Sequence, residues 1–243
     1  MPSVTLESLD LAALLCSRVC HDVISPVGAI VNGLEVLEDE KDPDMRGFAT
    51  ELIKKSARTA SARLQFCRLA FGAAGSAGAS IDTGDAEGVA RNLFADDRTR
   101  LDWQAVRALL PKNKVKLVLN MCLIGAAAIP RGGVMAVTIG SEGDAIEVSA
   151  KGTNAKVAAH VPALLAGAPD SGVIDAHGIQ PYYTGLVARA CGMGLDLQTA
   201  PDTVTLTARR VEAAQGEGDH AEGGHAEGAE GDAASDGEAE RAA

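Results

Sequence analysis

The sequence predicts an α+β protein in which a long helical hairpin precedes an α/β sandwich. Two long segments near the start carry apolar residues at helical spacing, and a short run of glycine and alanine follows them. Beyond that run, shorter helical and strand-like segments alternate, and one pair of strands is joined by a tight, glycine-containing turn. With 243 residues, the chain is long enough for two modest domains.

The first predicted helix covers about residues 8–38. Counting about 100° per residue, His21 falls nearly opposite the apolar stripe, and Arg18 and Ser25 lie on the same side as His21. This position predicts that the His21 imidazole faces solvent and is held by a rigid helix. The stripe itself consists of Leu11, Leu15, Val19, Val23, Pro26, Ile30, Leu34 and Leu37.

A second helix is predicted over about residues 44–71, with Asp42 as its N-cap and Pro43 at the first helical position. The two helices form a hairpin whose apolar stripe stays open to solvent. Pairing two such hairpins about a twofold axis would bury both stripes in a four-helix bundle, so we expect a homodimer. The apolar side of the second helix carries Met45, Phe48, Leu52, Leu64, Cys67 and Phe71.

The small, flexible run at residues 72–79 (GAAGSAGA) marks a boundary between domains at 1–78 and 79–211. A third segment, 212–243, has almost no bulky apolar residue, which predicts an acidic, disordered tail. In the second domain the pattern predicts helices at 87–94, 112–128, 154–165 and 180–191, and strands at 100–106, 134–139, 145–150, 195–199 and 203–208.

The charge is concentrated in the tail. It holds 10 acidic residues and one basic residue, a net charge of -9 out of the chain's -11, which leaves -2 for residues 1–211. A nearly neutral folded part argues against a nucleic-acid-binding protein. No apolar run approaches the ~20 residues of a membrane span and no signal peptide opens the chain, so we expect a cytoplasmic protein.

Five cysteines without a CxxC pair lie in apolar stretches and predict reduced, buried thiols. Cys16, Cys20 and His21 could be read as metal ligands on one helix. The four-residue spacing aligns the two cysteines but puts His21 elsewhere on the helix surface, so no metal site is predicted.

The segment RVCHDVISP (18–26) places an acidic residue directly after His21 and a proline five positions after it. Pro26 has no N–H group to donate to the carbonyl of Asp22. From the residues alone, Pro26 could simply bend a long helix and Asp22 could be a solvated charge. The pattern resembles the phospho-acceptor box of two-component histidine kinases. The wider run at 11–40 resembles the first helix of the ChpT-type histidine phosphotransferases of alphaproteobacterial phosphorelays, and the domain order extends that resemblance to about residue 211.

The resemblance implies a phosphoryl carrier without ATP-dependent kinase activity of its own. His21 would accept a phosphoryl group from the receiver aspartate of a hybrid kinase and pass it to response regulators, with Asp22 as the general base. Arg18 and Ser25 would steady the phosphoryl group or contact the receiver, although a solvated Arg18 fits the sequence as well. The implied cell-cycle partners are a CckA-type hybrid histidine kinase and response regulators of the CtrA and CpdR type. The implied Mg²⁺ belongs to the receiver, so no intrinsic cofactor is expected.

The second domain resembles a histidine-kinase ATP-binding sandwich that has degenerated. Residues 116–137 are similar to the asparagine-containing helix of that domain, and Asn120 matches its first asparagine. Ile124 replaces the second asparagine, and its aliphatic side chain cannot ligate magnesium. At 179–184 the bulky IQPYYT stands in place of a glycine-rich phosphate loop. The resemblance therefore predicts that ATP binding is lost. His160 and His177 have no recognisable catalytic partner in the sequence and are interpreted as structural or surface residues.

Two other classes of protein stay open. An ATP-dependent sensor histidine kinase core would label itself at His21 when supplied with ATP and magnesium. A non-catalytic dimeric adaptor would keep its function after loss of the His21 imidazole.

Overall fold

The computed structural model describes residues 4–72, 79–95, 98–169 and 172–211. The predicted linker, apart from its two end residues, and the predicted acidic tail lie outside these ranges. Helices α1 (Ser8–Asp39) and α2 (Pro43–Ala70) form the predicted hairpin, and a helix-covered sheet follows it within the same compact unit. The predicted α+β class with its N-terminal helical hairpin is confirmed.

The turn of the hairpin is built from local signals. The Asp42 side chain accepts a hydrogen bond from the Asp44 N–H at 2.8 Å, and Pro43 occupies the first helical position, both as predicted. Close packing of the two helices depends on Gly33, where a Cβ atom would lie 2.6 Å from Cγ1 of Ile53. A side chain at position 33 would therefore push α2 away from α1.

The sheet domain contains one five-stranded sheet and one two-stranded sheet. The larger sheet has the order β2-β4-β5-β7-β6, in which β2 and β4 are parallel and every other pair is antiparallel. The smaller sheet pairs β1 with β3. In chain order the elements are β1 (Ser80–Asp82), α3 (Thr83–Leu93), β2 (Thr99–Trp103), β3 (Leu109–Pro111), α4 (Lys112–Ala128), β4 (Gly133–Ile139), β5 (Ala145–Lys151), α5 (Val161–Ala166), α6 (Ile179–Ala190), β6 (Met193–Ala200) and β7 (Thr203–Arg210).

The core of this domain lies between the sheet and α4. Alternate residues of β4, β5 and β7 face inward, and α4 is buried over most of its length. The approach of α4 to the sheet is close at Gly125, where a Cβ atom would lie 3.1 Å from the side chains of Met135 and Val148. This packing sets the position of α6, which contacts α4 on one side and α1 on another.

Some predicted elements differ from the structure. The helix predicted at 154–165 is wrong over its first part, since only Val161–Ala166 is helical. Asn154 has a left-handed φ of 59°, and its N–H donates to Asp202 Oδ1 at 2.6 Å, which fixes a turn instead. Helix α3 starts earlier than predicted because the Asp82 carboxylate caps it, accepting from Gly84 N–H at 2.7 Å. The short strands β1 and β3 were not predicted.

The prediction of buried thiols holds for only some of the cysteines. Cys67 and Cys122 are buried, and burial raises their pKa to about 11 and about 12 respectively. Cys16 and Cys20 of α1 are exposed, and Cys191 is half-buried. By length and composition alone, α1 is long and apolar enough to cross a membrane, although polar residues interrupt its apolar sequence.

Side-chain hydrogen bonds reinforce the packing of the hairpin on the sheet domain at two places. Near the chain start, Tyr182 Oη of α6 donates to the carbonyl of Val4 at 3.1 Å and accepts from the N–H of Leu6 at 3.3 Å. At the end of α2, Asn120 Nδ2 of α4 donates to the carbonyl of Ala70 at 3.0 Å. Apolar packing of the first turns of α1 against Tyr182 reinforces the first contact.

Candidate functional site

The His21 side chain stands out from α1 into solvent, with 75% of its surface exposed. The periodicity of α1 predicts this orientation. Nδ1 of the ring lies 3.6 Å from Oδ1 of Asp22, which is near the carboxylate but longer than a hydrogen bond. The Nδ1 edge of the ring therefore faces an acidic group, and Nε2 lies on the far side of the ring from it.

Arg18 holds the Asp22 carboxylate in place. Its Nε donates to Asp22 Oδ2 at 3.0 Å, one helical turn away, and both side chains are about three-quarters buried. The structure thus brings Arg18, His21 and Asp22 together, and it pairs Arg18 with Asp22 rather than leaving it solvated. Ser25 is exposed one turn beyond His21 on the same side of the helix.

Arg63 of α2 also contacts the site. Because Pro26 has no N–H, the carbonyl of Asp22 lacks its helical donor, and Nη1 of Arg63 donates to that oxygen instead. Sequence analysis missed Arg63. The signal was present in the sequence, since a proline inside a helix always leaves one carbonyl in need of another donor.

His177 is the second residue that sequence analysis missed. Its ring centroid lies 6.4 Å from that of His21, and the two ring planes meet at 76°. His177 lies on the surface, as interpreted, and the fold places its ring beside that of His21, which no local pattern in the sequence indicated. His160 is exposed at the start of α5.

The turn that carries His177 is fixed by Asp175. Oδ1 of Asp175 accepts hydrogen bonds from the backbone N–H of Gly178 at 2.7 Å and from that of His177 at 3.0 Å. The Gly178 bond is the larger cause of a lowered pKa for Asp175, since both donors favour the carboxylate form. The turn leads directly into α6, and so ties His177 to the helix that packs against α1.

The residues at the positions that resemble a kinase ATP site pack against, or bond to, other residues of this protein. Asn120 is completely buried: its Nδ2 donates to the carbonyls of Lys116 and Ala70, and its Oδ1 accepts from Gln180 Nε2 at 3.2 Å. Ile124 is buried in the core of the domain. The polar atoms of Asn120 are therefore committed to protein partners.

The segment 179–184, predicted to replace a phosphate loop, forms the first turns of α6. Most of it is buried, including the aromatic ring of Tyr182. Gln180 Nε2 also bonds to Thr184 Oγ1 at 3.1 Å, so the polar side chains of these turns bond to one another and to α4. The side chains of residues 179–184 therefore occupy the space at the N-terminal end of α6.

An open groove of about 1350 Å³ lies between α2 and α3, with Asp22 at its margin. Its charged lining residues are mostly basic: Lys55, Arg58, Arg63 and Arg98, against Asp22 and Glu51. A groove with this charge favours a partner that presents acidic groups.

Comparisons with known proteins cover most of the chain. Residues 83–203 match the family model of the histidine phosphotransferase C-terminal domain. The protein phosphotransferase ChpT of Brucella abortus (strain 2308) is 53% identical over 208 residues, which is 84% of this chain and 98% of that protein. A solved structure described as a bacterial phosphotransferase superposes with a TM-score of 0.79 at 48% identity, covering 86% of this chain and 100% of the other.

Proposed function

Because this chain belongs to the ChpT family of protein histidine phosphotransferases, we propose that His21 accepts a phosphoryl group from a receiver aspartate and passes it to other receivers. The observation that carries the proposal is an exposed imidazole whose Nδ1 edge faces a carboxylate held by Arg18. The family resemblance supports a CckA-type hybrid kinase as donor and CtrA-type and CpdR-type regulators of the cell cycle as acceptors.

In the accepting step, the lone pair on Nε2 of neutral His21 attacks phosphorus. The P–N bond forms as the P–O bond to the receiver aspartate breaks, and that carboxylate leaves with the electron pair. Nδ1 then carries the ring proton toward Asp22, whose negative charge offsets the positive charge gained by the ring or accepts the proton. The 3.6 Å separation would shorten to a hydrogen bond during transfer. The return step reverses these changes.

In this mechanism Arg18 is a positioning residue. Its bond to Oδ2 turns the other carboxylate oxygen, Oδ1, toward His21. Ser25, exposed on the same face, would contact the receiver domain. The Mg²⁺ of the reaction would enter with the receiver, beside its phosphorylated aspartate.

We assign phosphotransfer and dimerisation to residues 1–78, and a scaffold that no longer binds ATP to residues 79–211. The burial of Asn120 and Ile124, and the filled first turns of α6, support the loss of ATP binding. The basic groove beside Asp22 suits a receiver, since the phosphorylation site of a receiver is acidic.

A homodimer is supported by the apolar side chains that the hairpin leaves exposed. A pair of hairpins would cover them in a four-helix bundle. The same pairing accounts for the apolar character of α1 in a protein that works among cytoplasmic receivers. The exposed large apolar residues of α1 and α2 are Leu9, Ile24, Val27, Val31, Leu34, Val36, Met45, Phe48, Leu52 and Leu64.

The decisive experiment is transfer from a purified receiver domain that carries a radiolabelled aspartyl phosphate. The full chain should acquire label that is labile to acid and stable to base, as expected for phosphohistidine. His21→Ala should acquire none while keeping its circular dichroism spectrum, and His160→Ala, which removes another exposed histidine, should still be labelled.

Two outcomes would support the other classes of protein. Labelling of the chain by ATP and magnesium, without a receiver, would identify a histidine kinase. Failure of the wild-type chain to take label, with unchanged receiver binding by His21→Ala, would identify an adaptor.

A further inference from the structure

We propose that His177 is a second imidazole of the phosphotransfer site and donates a hydrogen bond to the phosphoryl group carried by His21. This inference rests on the proposed function. It adds a residue of the sheet domain to a site otherwise built from the hairpin.

The rings of His177 and His21 lie close together and nearly perpendicular to each other. Their centroids are 6.4 Å apart and their planes are nearly perpendicular, so the edge of one ring is directed at the other. The N–H groups of an imidazole lie on its edge, and at least one nitrogen carries a proton in either the neutral or the charged form. A phosphoryl group on His21 projects beyond the ring, and its oxygens would come within reach of such a donor.

The neighbouring cations Arg18 and Arg63 are directed at Asp22. Arg18 donates to the Asp22 carboxylate, and Arg63 donates to the Asp22 carbonyl. Both guanidinium groups thus serve the acid that faces Nδ1. His177 instead contacts the ring of His21 itself. Asp175, two residues before His177, accepts from backbone N–H groups of its own turn.

The fold fixes the position of His177 relative to His21. Asp175 holds the turn, and a Cβ atom at Gly178 would lie 3.2 Å from Leu164, so the turn enters α6 in tight packing. Helix α6 is in turn held to the first turns of α1 by Tyr182 and the apolar contacts around it. The ring contact therefore joins two elements that are already anchored to each other.

A fixed donor at this position would act most strongly where negative charge is greatest. While the phosphoryl group passes between aspartate and histidine, its negative charge is spread over its oxygens. A preorganised N–H donor stabilises that charge without having to reorient. We expect His177 to raise the rate of transfer more than the affinity for the receiver.

Three variants separate hydrogen bonding from ring packing. His177→Ala removes both, His177→Phe keeps an aromatic ring without N–H donors, and His177→Gln keeps an N–H donor without the ring. The measurement is single-turnover transfer from a phosphorylated receiver at saturating concentration, together with the receiver Kd. We expect Ala and Phe to lower the maximal rate by about 10- to 100-fold with little change in Kd, and Gln to restore most of it.

A wild-type rate for His177→Phe would overturn the inference. So would a change confined to Kd, because that would make His177 a receiver contact. Phosphorus NMR of the phosphorylated chain gives a second readout in the absence of receiver. The phosphohistidine resonance should shift in His177→Phe relative to wild type, and an unchanged resonance would contradict the hydrogen bond.

The failures of the two proposals are distinguishable. If the wild-type chain takes no phosphoryl group, the proposed function is wrong. If the wild-type chain and His177→Phe are labelled equally fast, only the role of His177 is wrong.

Discussion

Asp22 uses its oxygens for three different neighbours. Oδ1 faces Nδ1 of His21, Oδ2 accepts from Arg18, and the backbone carbonyl accepts from Arg63 of α2. One acidic residue thus connects the imidazole to both helices of the hairpin. The carboxylate charge acts on His21 and on Arg18, whereas the bond from Arg63 goes to the backbone and does not depend on the side chain.

Replacing Asp22 by asparagine separates charge from shape. The amide oxygen of Asp22→Asn can still accept from Arg18, but the negative charge beside His21 is lost. Transfer to His21 should slow by about 100-fold, while the melting temperature changes little. Single-turnover kinetics with a phosphorylated receiver would measure this. A rate equal to wild type would contradict a role for the carboxylate in transfer.

Cys67 predicts a dependence of stability on pH. Burial first, and the nearby charge of Asp22 second, raise the pKa of its thiol from 9.0 to about 11. The unfolded thiol loses its proton first, so this contribution to stability is fully present below about pH 9 and is lost as the pH rises through about 11. Urea unfolding midpoints between pH 8 and 11 should fall less steeply for Cys67→Ala than for wild type.

The control for that series is Cys16→Ala, which removes an exposed thiol. Its midpoints should follow the wild-type curve. If Cys67→Ala also follows the wild-type curve, the Cys67 thiol does not contribute to the loss of stability at high pH.

Helix α1 shows how a proline can be matched by a side chain on a neighbouring helix. Pro26 takes away the donor to the Asp22 carbonyl, and Arg63 supplies another. The pair fixes the register of α2 against α1 immediately beneath the imidazole. Loss of Arg63 should disturb the hairpin while Pro26 is present, and an N–H group at position 26 should compensate for that loss.

A double-mutant cycle tests this pairing. Arg63→Ala should lower the free energy of unfolding by about 1–3 kcal/mol, because it leaves a half-buried carbonyl without a donor. In the Pro26→Ala background the backbone N–H of residue 26 can donate to that carbonyl, so the cost of Arg63→Ala should be smaller. Chemical denaturation of the four proteins measures the coupling, and strictly additive costs would contradict it.

Local signals predicted the hairpin well and the site only in part. The cap at Asp42, the periodicity of α1 and the orientation of His21 depend on neighbours in the sequence, so they could be predicted. The contact between His21 and His177 depends on how α6 packs against α1, which no local pattern encodes. The turn at Asn154 likewise follows from its bond to Asp202 on a distant turn.

The role of Asn120 was also beyond sequence analysis. The motif around Asn120 resembles that of a kinase asparagine, but the amide bonds to Ala70 and Gln180. Whether a polar side chain faces a ligand or a packed neighbour depends on the space around it. That space is set here by the bulky first turns of α6.

The surface of the whole molecule predicts how it assembles. Phe48 and Leu52 of α2 are 71% and 45% exposed on the open side of the hairpin. We expect Phe48→Glu combined with Leu52→Glu to convert a dimer into a monomer, because charges would replace the apolar contacts of the bundle. Light scattering coupled to gel filtration would report a halved mass.

Val106 offers a matched control, since it is 82% exposed but lies in the sheet domain. Val106→Glu should leave the mass unchanged. A wild-type chain that is monomeric at micromolar concentration would contradict the bundle.

The two contacts at Tyr182 and Asn120 have a consequence for signalling. They fasten the sheet domain to both helices at the open end of the hairpin, near the start of α1 and at the end of α2. A carrier tethered at two points has little freedom to adopt one shape for its donor and another for its acceptor. The direction of phosphoryl transfer would then be decided by mass action among the receivers. When phosphorylated donor becomes scarce, phosphoryl groups would pass back from the acceptor receivers, through His21, to the donor.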